Sequence, residues 1–239
     1  MMKTTLCALL LVFSLSARAQ AVGLPSVPVV TAEFHSIYVP GGFDSNDRVQ
    51  IVGEGVFANT CYRPAPPVVV IQRAAREIHV TSSAFKYEGN CLEVQVAFDQ
   101  TLDLGILDAG TYRVIQDLGE ARKEMGTLQI GVSRSTDADD FLYAPVSQAY
   151  AENRSGKTFV RVTGSFTDSC MNLSDVKITN EPRVLVVQPV ASRIERSDCA
   201  AGNFPFDRSV EVRGAHQGRY LLHVRSLNGN AFNHLLDLN

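Results

Sequence analysis

One seven-residue phrase occurs twice in this chain. Gly55-Val56-Phe57-Ala58-Asn59-Thr60-Cys61 and Gly164-Ser165-Phe166-Thr167-Asp168-Ser169-Cys170 both read G-x-F-x-[ND]-[ST]-C, at an offset of 109. Beyond a second cysteine the correspondence resumes at an offset of 108. There Phe98-Asp99 aligns with Phe206-Asp207, Leu102-Asp103-Leu104 with Val210-Glu211-Val212, and Gly110-Thr111-Tyr112 with Gly218-Arg219-Tyr220. A one-residue deletion between the cysteines reconciles the two offsets. Ordered matches of this kind are the signature of an internal repeat, and the reading is two homologous units in tandem.

The first 19 residues read as a cleaved signal peptide. Lys3 is a short positive start, Leu6 to Leu15 is apolar, and Ala17-Arg18-Ala19 fits a small-x-small cleavage site. That apolar run is about half of what a membrane-spanning helix needs, and no later run is longer. Cys7 precedes most of it, whereas a lipidated cysteine is expected at the cleavage point. The product is read as exported, periplasmic or extracellular, and the compact leader suggests a bacterial host. Removal of the leader leaves 20 basic and 25 acidic residues. This mild negative balance argues against nucleic acid, whose binding rests on basic side chains at phosphates.

Four cysteines remain: Cys61, Cys91, Cys170 and Cys199. An even number in an oxidising compartment reads as a disulfide framework with three possible connectivities. Separations of 30, 79 and 29 residues do not fit zinc-ligand clusters. If each unit folds by itself, Cys61 pairs with Cys91 and Cys170 with Cys199. Closing a loop of about 30 residues removes roughly 3–4 kcal/mol of unfolded-chain entropy in the simple loop model.

Strand signals dominate the remainder. Val49 and Ile51 alternate with Arg48 and Gln50, and Phe159-Val160-Arg161-Val162-Thr163 repeats the pattern. Val68-Val69-Val70-Ile71 and Val184-Leu185-Val186-Val187 are apolar runs that suit buried strands. The best short helical candidate is Ala74-Ala75-Arg76-Glu77. About seven short strands per unit, with frequent turns, suit an all-β fold of two tandem immunoglobulin-like β-sandwiches. The expected boundaries are signal peptide 1–19, repeat one 20–133, linker 134–140 and repeat two 141–239. Residues 20–33 are expected as an extended lead-in.

The ordered pattern of the motif, the second cysteine, an alternating strand and G-x-Y resembles repeats of exported bacterial proteins. Leu107-Asp108-Ala109-Gly110-Thr111-Tyr112-Arg113-Val114 matches their closing phrase L-x-A-G-x-Y-x-V, of which the second unit keeps Gly218 and Tyr220. The resemblance implies immunoglobulin-like sandwiches with one disulfide each, and carries no activity.

Chemistry-bearing motifs are thin. G-x-S-x-G, H-E-x-x-H, phosphate-binding glycine loops and C-x-x-C do not occur. Of the five histidines, His35, His79, His216, His223 and His234, the three in the second unit (His216, His223 and His234) read as surface or half-buried side chains on different strands in preference to a metal site. Asp137, Asp139 and Asp140 read as solvated linker in preference to a calcium loop. No catalytic, cofactor-binding or metal-ligating residue is assigned, and no cofactor is expected. The favoured function is a non-enzymatic structural, adhesive or protein-binding module whose partner is another exported or cell-surface protein. One alternative is an inhibitor of a secreted hydrolase, presenting Tyr62 to Pro67 as a loop. The other is a hydrolase or carbohydrate-binding protein, which the lack of tryptophan disfavours.

Overall fold

A computed structural model describes residues 27–135 and 141–238. The proposed leader, residues 20–26 and the linker aspartates Asp137, Asp139 and Asp140 lie outside the described residues. The fold is all-β, with a short 3-10 turn at Leu227–Gly229, and no helix is long and apolar enough to cross a membrane.

The front half contains β1 (Val29–Thr31), β2 (Phe34–Tyr38), β3 (Phe43–Asp44), β4 (Val49–Phe57), β5 (Tyr62–Gln72), β6 (Glu77–Lys86), β7 (Val96–Gly105), β8 (Gly110–Leu118) and β9 (Ala121–Gly131). The back half contains β10 (Val146–Arg154), β11 (Lys157–Asp168), β12 (Met171–Glu181), β13 (Val184–Arg193), β14 (Ala201–Glu211), β15 (Gly218–Ser226) and β16 (Asn230–Leu238). Many strands run nine to twelve residues, longer than the sequence suggests. Part of the expected lead-in is already strand, because β1 pairs with the end of β6. Ala74 and its neighbours form the turn between β5 and β6, with Arg76 at φ 52°, in place of a helix.

Every strand pairing among the described residues stays within one half. In the front half β2-β4-β7 form one sheet. The other runs β6-β8-β9-β3, with β5 and β1 also on β6. In the back half β10-β11-β14 and β12-β13-β15-β16 form the two sheets. The same pairings recur: Ile78 lies opposite Val114 and Leu185 opposite Leu222, both in parallel. Parallel neighbours need a crossover, and β7 and β14 supply it by passing through the opposite sheet. Immunoglobulin sheets are antiparallel, so these pairs, and β3 beside β9, are a departure from that pattern.

The pairings also refine the alignment of the halves. The β5–β6 turn has four residues, 73–76, and its counterpart only two, 182–183. One extra residue then precedes Cys199. The apparent single deletion is thus a two-residue shortening followed by a one-residue insertion.

Each core draws on both sheets of its half. Ile51, Phe98 and Leu102 meet Ile78, Tyr112 and Leu128 in front, and Val160 and Val162 meet Leu185, Leu222 and Val224 behind. Gly110 and Gly218 start β8 and β15 at φ 144° and 145°, a region that favours glycine. This corner delivers Tyr112 and Tyr220 into the cores, where the Tyr220 hydroxyl accepts from the His216 N–H at 3.2 Å.

A third apolar cluster joins the halves: Tyr38 and Val52 against Val184, Val186, Leu221 and Leu235. Strands β4, β13 and β15 are therefore buried on both faces. Polar groups complete this seam. Tyr38 donates to Glu54 (2.7 Å) and accepts from Arg183 (2.7 Å), while Arg219 donates to Glu54 (2.9 Å). Burial, followed by the Glu54 hydrogen bond, pushes the Tyr38 hydroxyl up to about 12.

Candidate functional site

Each position of the repeated motif has a structural task, performed in the same way in both halves. A Cβ on Gly55 would fall 2.5 Å from the Glu33 carbonyl and from the Phe98 ring. One on Gly164 would fall 2.1 Å from the Pro145 carbonyl and 2.5 Å from Phe206. Only glycine admits these approaches. Phe57 stacks on Phe98 with ring centroids 4.0 Å apart, and Phe166 meets Phe206 at 5.2 Å. Asn59 Oδ1 accepts from the Cys61 N–H at 3.1 Å, and Asp168 Oδ1 from the Cys170 N–H at 2.7 Å. The short polar side chain thus closes an Asx-turn that aims the cysteine.

The hydroxyl residue ties this corner to the segment after the second cysteine. Thr60 Oγ1 accepts from the Leu92 N–H at 3.0 Å, and Ser169 Oγ from the Ala200 N–H at 2.9 Å. The reciprocal backbone bonds, Thr60 N–H to Leu92 O and Ser169 N–H to Ala200 O, are 3.2 and 3.0 Å. Two disulfides fasten the same segments, Cys61 to Cys91 and Cys170 to Cys199, each with Cα atoms 5.4 Å apart. This is the connectivity expected from the sequence.

The two corners share a frame and differ in surface. In front, Val56, Tyr87, Leu92 and Val94 are exposed, Leu92 to 67%. The corresponding positions behind are Ser165, Ile194, Ala200 and Gly202, of which only Ile194 is large. Tyr87 and Ile194 are equated by their N–H groups, which donate to Cys61 O and Cys170 O. Beside the front tip lies an open hollow of about 330 Å³ whose lining is mixed, with Val30, Val56 and Tyr62 beside Thr31, Glu33 and Lys86. Lys86 sits 6.0 Å over the Tyr62 ring, and Glu33 pairs with Lys123 at 2.9 Å. Exposed large apolar side chains interspersed with charges of both signs are the composition of a protein-docking surface.

The other residues singled out by sequence do not converge on a reactive centre. His223 is fully buried, unlike the half-buried or surface placement expected. Burial lowers its ring to about 4, Arg225 adds to this, and the hydrogen bond to Asn233 Oδ1 (2.7 Å) opposes it. His234 faces the opposite side of the sheet from His223, being one register step away, and is exposed, as is His216. His79 is also buried, its Nε2 3.0 Å from Glu77 and its Nδ1 3.1 Å from Asp117. Asp168, Cys170 and Cys199 bring potential ligand atoms within 4.8 Å of one another, but both sulfurs are committed to the disulfide. Tyr62 to Pro67 is the first half of β5 and not a protruding loop. The sequence does carry a signal for the tip: large apolar residues at 56, 92 and 94 stand where the back half has small ones.

A scan against protein-family models, a search of curated proteins and a search of solved structures each find no match to this chain.

Proposed function

We propose that the chain is an exported, non-enzymatic tandem of two homologous, disulfide-bonded sandwich modules of broadly immunoglobulin-like type. In this reading the front module binds another exported or cell-surface protein through its disulfide-anchored tip. The observation that carries the reading is the asymmetry between the corners. The same hydrogen bonds and disulfide hold both, yet only the front one exposes the large apolar side chains Val56, Leu92 and Val94, with Tyr87, beside an open hollow of mixed lining. A surface of that kind is maintained on a rigid frame at a cost in solubility, and a partner that covers it removes the cost. Export is supported by the leader-like start and by two disulfides, which persist in oxidising compartments.

The test is site-specific photo-crosslinking in the native host, with the probe at Leu92 or, as an internal control, at Ala200. A discrete protein adduct is expected from Leu92, absent from Ala200, and lost when Val56→Asp and Val94→Asp are introduced together. Identical adducts from both positions would sink the reading.

A further inference from the structure

Strand β5 has hydrogen-bonding groups along two edges, and among the described residues it pairs with β6 alone. Its first half is guarded. Pro64, Pro66 and Pro67 offer no N–H, the register slips between Ala65 and Val68, and Gln100 Nε2 donates to the Ala65 carbonyl at 2.8 Å. The second half is not guarded. Val68 to Gln72 pair regularly with Thr81 to Glu77, carry no charge, and leave Val68 and Val70 56% and 52% exposed on the outer face. Val69 and Ile71 are packed against the core, so this stretch is held extended and straight.

The back half provides an internal comparison. Ile178 lies opposite Val187 as Val69 lies opposite Val80, so Lys177 and Thr179 occupy the places of Val68 and Val70. Strand β12 also carries Asp175. A charged lysine on the outer edge strand is the usual protection against pairing with another chain. One copy of the same design keeps that protection, and the other replaces it with valine.

We propose that Val68–Gln72 is a dimerisation edge, on which a second copy of this chain adds its own β5 antiparallel about a two-fold axis at Val70. An edge paired with itself must be self-complementary. Here the pairing sets Val70 against Val70, Val69 against Ile71 and Val68 against Gln72. No like charges meet, and β-branched side chains face one another, which favours cross-strand pairing. The two β5-containing sheets become one continuous sheet through the dimer, and Val68 and Val70 are covered. The surface is separate from the tip and does not depend on it.

Sedimentation of the full chain from low to high micromolar concentration is expected to show a monomer–dimer equilibrium, with the dimer lost in Val68→Lys/Val70→Lys. Directly opposed strand residues have Cα atoms about 4.5–5.5 Å apart, within disulfide reach. Val70→Cys is therefore expected to give a reducible covalent dimer, and Thr179→Cys, its counterpart on the lysine-protected edge, a monomer. A wild-type chain that stays monomeric throughout overturns the proposal, as does a dimer unmoved by the two lysines. If the lysine variant does not fold, the Val70→Cys result decides alone, and no cross-linked dimer counts against the proposal.

Discussion

Arg225 reaches across the seam to Asp47, Nη1 to Oδ2 at 3.3 Å, with both side chains buried. The same guanidinium donates to the carbonyls of Gly41 (3.2 Å) and Gly42 (2.6 Å) and lies 4.7 Å from the Phe43 ring centroid. One back-half side chain thus gathers the whole 41–47 segment of the front half.

Removing one member of a buried pair leaves the other charge without its partner, which costs about 3–5 kcal/mol. Arg225→Met is expected to lower unfolding stability by that order, measured by denaturant titration. Arg225→Lys recovers little, since an ammonium cannot serve the carboxylate and two carbonyls from one planar fork.

His223 sets an acid limit. Its folded-state value of about 4 lies below the ordinary 6.5, so the unfolded chain binds the proton more readily. Stability is therefore full above 6.5 and is lost as pH falls toward 4, by roughly 3 kcal/mol in all. An NMR titration is expected to show the His223 ring neutral at pH 5. The slope of melting temperature between pH 6.5 and 4 flattens in His223→Phe.

Glu54 acts lower on the scale. Burial raises its carboxyl, but hydrogen bonds from Tyr38 and Arg219, with the charges of Arg219 and His35, outweigh it and hold the group below its ordinary 4.5. A depressed carboxylate stabilises the fold above its unfolded value, and the contribution disappears as pH falls through the folded one. Thermal melts below pH 4.5 are expected to fall less steeply in Glu54→Gln than in the wild type. The variant starts from a lower melting temperature, because the Arg219 partner has lost its charge.

Gly164→Ala places a methyl group against the Pro145 backbone, which cannot swing aside. Overpacking of this kind costs about 1–3 kcal/mol or more. The expected result is a clear drop in melting temperature, with Gly55→Ala behaving likewise and Gly119→Ala failing by strain alone, since no atom lies near its Cβ position.

The sequence made the local architecture readable because local residues specify it. Glycine, phenylalanine, the Asx residue and the hydroxyl of the motif all act within the corner or against the partner cysteine's segment. The alternating strands and the cysteine pairing follow from the same phrase. The pairing of β6 with β8 was not legible, since a two-residue period is the same in parallel and antiparallel sheets. Nor was the difference between two similar apolar runs. Val184–Val187 is buried on both faces because the seam covers one of them, whereas Val68–Ile71 lies at a sheet edge. A run of apolar residues records how little water a strand tolerates, and not which neighbour excludes it. The candidate tip is defined by the matching hydrogen bonds of the two corners, which equate Tyr87 with Ile194 and Leu92 with Ala200.

The seam joins unlike surfaces: the back of β2-β4-β7 from the front half meets the back of β13-β15-β16 from the back half. An arrangement of that head-to-tail type has no inherent stopping point, and a further sheet face could in geometry stack on either side. The front half forecloses this. Where the back half has Val184, Val186 and Leu221, the front half carries Glu77, His79 and Arg113, already bound to one another and to Asp117. Arg161, bonded to Asp207, does the same at the far end in the place of Val52. On both sides of the seam, the faces that point away from it carry paired charge in place of the apolar residues that meet within it.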